Sequence, residues 1–159
     1  MKRTLSIVSL IIFFNCFAQS QEKIYVTKQK VEGYVFTKDF HIWGFPPESN
    51  RYTPTKQDIE TAENILQENA IFICNTVMHK NLRHNCAKKK LRSYVRQYVG
   101  YIIDNKKIVK TFFSKRRSIN IHNYKEDIIG VQDGGTDYWQ VSINLSDYTL
   151  FGLSVNGEG

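Results

Sequence analysis

The stretch SYVRQYVGYIIDNKKIVKTFFS, Ser93 to Ser114, decides how the rest of the chain is read. Its apolar residues recur with a period of two, the signature of a β-strand. Arg96, Tyr98, Gly100 and Ile102 fall on one face, and Gln97, Val99, Tyr101 and Ile103 on the other. Asp104 and Asn105 interrupt the run, and both residue types tolerate positive φ, so a tight turn joins RQYVGYI to KKIVKTFF as a hairpin. Gly100 inside the strand requires a reason: a bend over a helix, or room for a large neighbour such as Trp139.

Downstream the strand pattern continues. A charged loop, Lys115 to Asp127, leads through IIGVQ and the turn DGG (Asp133 to Gly135) into TDYWQVSINL. There Trp139, Val141, Ile143 and Leu145 share one face while Tyr138, Gln140, Ser142 and Asn144 share the other, as a sheet with one covered face requires. Ser146-Asp147 makes another turn before the last strand, YTLFGLSVNG, in which Gly152 marks a bulge or close contact.

Upstream lies one clear amphipathic helix. Thr55 and Asp58 have capping-box spacing, and Ile59, Ala62, Ile65, Leu66 and Ala70 form a single apolar stripe over residues 55–70. Glu60, Glu63, Asn64, Gln67 and Glu68 fill the opposite side. Residues 75–92 are basic and polar, a short second helix or an exposed connection. Lys23 to Phe45 is rich in β-branched and aromatic residues and holds one or two short strands, with Gly33 and Gly44 as turns or bulges. Pro46 to Thr55 is a loop, because two adjacent prolines exclude helix and central strand.

This order predicts an α+β fold: one main amphipathic helix packed on a curled antiparallel sheet of four or more strands, a roll of the cystatin-like or nuclear-transport-factor type. Without βαβ repetition, parallel pairing is not expected.

The N-terminus reads as an export signal: Met1-Lys2-Arg3 is basic, Leu5 to Phe14 is apolar but too short to span a bilayer, and Ala18 and Ser20 precede a cut before Gln21. Lipidation at Cys16 is the second reading. The expected organisation is a signal peptide over 1–20 and one domain over 21–159, delivered to the periplasm or outside the cell. No further run of spanning length follows. The net charge of +7 falls to +5 when Lys2 and Arg3 are removed, and the excess gathers around Lys80–Arg96 and Lys106–Arg117. Such patches attract polyanions, which for an exported chain are lipid headgroups, anionic glycans and acidic proteins rather than nucleic acid.

Within 21–159 there are two cysteines, Cys74 and Cys86, with His79 and His84 between them. An even cysteine count in an exported chain predicts a disulfide, closing a loop worth about 3 kcal/mol. Two free thiols are the next reading. A zinc site fits poorly, because C-x4-H-x4-H-x-C is not a common spacing and His84 and Cys86 are too close to share one ion readily. No metal and no cofactor are expected.

Gln97 and Val99 give RQYVGYI a faint likeness to the Q-x-V-x-G inhibitory hairpin of cystatins, but Tyr101 stands where the glycine belongs and the hairpin tip is several residues away. A closer likeness rests on RQYVGYI, KKIVKTFF, DGGTDYWQVSINL, the closing LSVNGEG and the TPTKQDI helix start. Over residues 51–159 the chain resembles a group of small exported proteins of unknown function from Gram-negative bacteria. That likeness implies membership and brings no catalytic residue. No nucleophile elbow, zinc-protease motif or phosphate loop is present. The expected function is therefore a non-catalytic binding module for a protein or envelope component, with Arg96, Tyr98, Lys110 and Tyr138 as candidate contacts on an aromatic sheet face. The alternative is a small hydrolase or isomerase using a pocket in the roll, with Asp133, Asp137 or His122 as the ionisable group.

Overall fold

A computed structural model describes residues 21–26, 30–47, 50–78, 84–118, 124, 127–131 and 133–157. The expected signal peptide with Cys16, and also His79 and His122, lie outside the described residues. The elements are β1 (Gln21–Val26), β2 (Val31–Phe36), β3 (Arg51–Tyr52), α1 (Lys56–Glu68), α2 (Ala70–Met78), α3 (His84–Leu91), β4 (Tyr94–Ile103), β5 (Lys106–Lys115), β6 (Tyr138–Asn144) and β7 (Thr149–Val155).

The hairpin forms as its sequence dictates. β4 and β5 pair from Tyr94↔Lys115 to Ile103↔Lys106, and Asp104 and Asn105 close the turn with φ of 47° and 61°. From it the meander continues antiparallel through β6 and β7. Gly152 takes φ +62°, and the β6–β7 register shifts between Gln140 and Ser142, so the expected bulge is present.

The other edge of β4 departs from expectation. β2 runs parallel to it, Gly33↔Arg96 through Phe36↔Val99, and beyond that β3 pairs antiparallel through Arg51↔Tyr101 and Tyr52↔Gly100. The stretch between the two prolines and the helix, read as loop, thus contributes a two-residue strand. Three helices fill the crossover from β2 to β4: the main helix ends at the Asn69 cap and is followed by a separate α2, and α3 is the short second helix among residues 75–92. A connection of that length lets the chain re-enter the sheet in the same direction. The six main strands lie in the order β1-β2-β4-β5-β6-β7. The architecture is α+β with a mostly antiparallel sheet and one parallel pairing.

Helix α1 starts at the predicted cap: Thr55 Oγ1 accepts from the Asp58 amide, and Asp58 Oδ2 accepts from the Thr55 amide. Its stripe Ile59, Ala62, Ile65 and Leu66, with Ile73, Cys74 and Val77 of α2, packs on Tyr94, Tyr98, Val109, Phe113, Trp139, Val141 and Ile143. Phe113 and Trp139 stack at 3.6 Å with planes 5° apart. This is the covered face predicted for β6.

The opposite face is also partly covered. Tyr34, Phe36, Phe40, Ile42, Val95, Val99 and Tyr124 form a second buried cluster under the loop that follows β2. Arg51 gathers that loop, donating to the carbonyls of Gly100 (3.1 Å), Phe40 (3.4 Å) and Thr37 (3.2 Å). Consequently β4 is buried on both sides along most of its length, which the one-covered-face reading did not anticipate.

Gly100 has a physical reason, and it is not Trp139. A Cβ there would lie 2.5 Å from the Tyr52 carbonyl oxygen and 2.9 Å from Pro54 Cγ. The glycine is what lets β3 approach β4. Gly100→Val should therefore cost about 2 kcal/mol or more through overpacking against backbone that cannot move away. The expected result is a melting temperature lower by about 5 °C or more; an unchanged melting curve would refute the role.

Candidate binding site

The alternation of RQYVGYI sends its polar side chains to both faces, and each is used inside the protein. On the helix side, Arg96 and Tyr98 are fully buried. Arg96 Nε donates to Glu63 Oε1 at 3.0 Å and Nη2 to Oε2 at 3.4 Å. Its Nη1 donates to the carbonyls of Leu91 and Tyr94, and the guanidinium lies 5.1 Å from the centre of the Phe113 ring. Tyr98 Oη donates to Glu63 Oε1 at 2.9 Å. Burial, and then the Glu63 carboxylate, holds the Tyr98 hydroxyl well above its ordinary pKa.

The expectation that Arg96 and Tyr98 form an outward recognition surface is thus corrected. Glu63, placed on the polar side of α1 by sequence, is itself fully buried, and it supplies the charge that draws both residues inward. The Tyr98 ring also lies over Gly33, where a Cβ would come within 2.4 Å of it.

On the other face, the buried Gln97 side chain pins a loop. Its Nε2 donates to the carbonyls of Tyr124 (2.8 Å) and Asp127 (2.7 Å), and its Oε1 accepts from the Ile129 amide at 3.1 Å. These bonds hold Ile128 and Ile129 as one wall of a pocket of about 320 Å³.

The opposing wall comes from the loop after β2. Phe45 N donates to the Ile42 carbonyl at 3.3 Å, and Gly44 takes φ +77°. This closes a turn of a kind that needs glycine at its third position. Ile42 is buried in the second cluster while Trp43, at the turn's apex, is 93% exposed. Phe45 packs against Phe112 of β5, centroids 5.7 Å apart. Tyr138, Gln140 and Asn156 supply polar lining beside Asp127. Asn156 Nδ2 donates to the Val131 carbonyl.

The remaining expected contacts lie near this pocket or support it. Tyr138 lines it and donates its hydroxyl to the Ser118 carbonyl at 2.6 Å. Lys110 stands at its border, half-buried, with Nζ 5.1 Å from the Phe45 centroid and 5.4 Å from that of Phe112. Burial lowers its pKa.

The acids considered for catalysis are elsewhere. Asp137 accepts from Lys115 Nζ (3.1 Å) and Ser118 Oγ (2.6 Å), with Arg117 at 3.5 Å. Burial opposes its charge, but these hydrogen bonds and cations hold its pKa below the ordinary value. Asp133 is exposed and bridges to Gly157.

Cys74 carries a free, buried thiol in place of the expected disulfide. Its Sγ donates to the Ala87 carbonyl at 3.4 Å, and burial raises its pKa to about 11. The side chains of Cys86 and His84 lie outside the description. No cluster able to hold a metal ion occurs among the described residues, and no described helix is long and apolar enough to cross a membrane.

No protein-family model, no curated protein and no solved structure matches the chain.

Two predictions follow from this geometry. Gln97→Ala removes two donors and one acceptor from a buried set and should destabilise by about 2 kcal/mol. Hydrogen exchange should report faster opening of Ile128 and Ile129 than of β5. Second, Tyr52, Tyr94, Tyr98 and Tyr124 all have raised pKa values, chiefly from burial, Tyr94 reaching about 12. A raised folded value means stability is fully present below the ordinary tyrosine pKa of 10.0 and is lost as pH climbs through the folded values. Tyrosinate absorbance should therefore rise together with loss of circular dichroism above about pH 10; full ionisation of a still-folded chain would contradict this.

Proposed function

We propose that this chain is an exported, non-catalytic binding module, and that it holds a protein or envelope component in the pocket beside Trp43. One observation carries the reading: an indole held almost entirely in solvent by a glycine turn, at the rim of a pocket walled by Phe45, Phe112, Ile128 and Ile129. Large aromatics are the residues that dominate recognition energetics, and pockets for ligands combine apolar walls with a few polar groups.

A hydrolase or isomerase would need a desolvated acid or base facing the pocket. Asp137 is occupied by ion pairs, and Asp133 lies outside the lining. Asp127, the carboxylate that does line it, is exposed and accepts the Ile128 amide at 2.7 Å. Binding is therefore the better-supported reading. We further place the architecture among the α+β rolls of the cystatin and nuclear-transport-factor type, supported by the helical layer on one side of the β4–β7 meander, with the parallel β2–β4 pairing as its departure.

The test uses Trp43→Ala, which removes an exposed side chain and should leave the melting temperature unchanged. Immobilised wild-type chain should retain a component from envelope or culture extract that the variant loses. Equal retention by both chains, or retention of nothing by either, would overturn the proposal.

A further inference from the structure

We infer that the pocket beside Trp43 takes an uncharged saccharide. This deepens the binding reading above and rests on it. Charge decides the first step. Asp127 is the ionisable carboxylate among the lining residues, so an anionic ligand would meet a like charge. A cationic ligand would meet a like charge as well, because Lys110 Nζ stands at the border over Phe45 and Phe112. What remains is a neutral molecule.

The shape of the lining decides the second step. Trp43, Phe45 and Phe112 present ring surface, whereas the opposite requirement, hydrogen bonding, is met by planar side-chain groups. Among the described residues the Gln140 side chain makes no hydrogen bond within the protein, and Asn156 uses its Nδ2 but not its Oδ1. Asp127 retains acceptor capacity beyond its one bond to the Ile128 amide. A purely apolar ligand would cover these groups and leave them without partners, which is costly. A pyranose ring has an apolar C–H face to lie on an indole and a rim of hydroxyls that both donate and accept. It satisfies the two halves of this lining at once. The cavity, about 320 Å³, is at the lower end for ligand sites and suits one or two such rings.

The indole also provides the readout. Trp43 is exposed at the rim, and the buried Trp139 also lines the pocket, so a ligand entering it changes tryptophan emission. The full chain is titrated with oligomers of N-acetylglucosamine, of glucose and of mannose, and in parallel with decaproline and an anilinonaphthalene dye. The expected result is saturable quenching or a blue shift with at least one saccharide. Titration calorimetry, which reads the variants as it reads the wild type, should show binding weakened about tenfold by Trp43→Ala and about fivefold by Gln140→Ala, with melting temperatures preserved. If no saccharide binds while decaproline or the dye binds in a Trp43-dependent way, the saccharide inference falls and the pocket reading stands. If nothing binds, both fall. Saccharide binding that is indifferent to Trp43→Ala and Gln140→Ala places the sugar elsewhere and overturns the inference.

Discussion

A carboxylate and a guanidinium, both withdrawn from water, fix how the helical layer meets the sheet. Glu63 comes from the middle of α1 and Arg96 from near the start of β4, and each would be intolerable in the core alone. Together, with Tyr98 on the same carboxylate and two backbone carbonyls on Arg96 Nη1, their polar valences are largely met. Removing one partner from such a pair costs about 3–5 kcal/mol, so placements of the helix that separate the two are disfavoured. The pair therefore sets register more than it adds strength. Because Arg96 also lies across from Phe113, the same contact aligns α1 with the stacked Phe113–Trp139 rings.

β4 is where the two halves of the molecule are held together. Its odd and even residues serve different clients: one face anchors the helices through Arg96 and Tyr98, and the other anchors the pocket wall through Gln97. A polar residue on a central strand is ordinarily a cost. Here each is saturated by groups from a different element, so one ten-residue strand orients both the core layer and the pocket wall. Arg51 plays the equivalent part for the loop after β2, holding its carbonyls against the same strand.

What could be read from sequence was local. The hairpin turn at Asp104-Asn105, the Thr55–Asp58 cap and the stripe of α1 depend on neighbours within a few positions, and all three are in the structure. The strand alternation of β6 also holds, because its period is intrinsic to the pleat. Parallel pairing of β2 with β4, the inward turn of Glu63 and the second cluster escaped because their partners lie tens of residues away. Arg96 and Tyr98 read as surface residues for the same reason: nothing nearby in sequence announces the carboxylate they meet. Of the candidate contacts taken from strand spacing, Tyr138 lines the pocket and Lys110 stands beside it. Trp43, Phe45, Asp127, Gln140 and Asn156 were not singled out. The one signal available was HIWGF, in which a glycine directly follows a tryptophan and permits a turn that presents the indole.

The parallel β2–β4 pairing has a kinetic meaning as well as a topological one. The β4–β5 hairpin closes through two residues, whereas Gly33↔Arg96 contact requires the ends of a segment that includes all three helices to meet. Loop-closure entropy rises with segment length, and nonlocal contacts are rewarded only after that entropy is spent. Closing the β4–β5 hairpin therefore costs less chain entropy than seating the β1–β2 ribbon beside it. β1, at the edge of the sheet, is held to it through β2 alone, so its place in the sheet depends on that long closure.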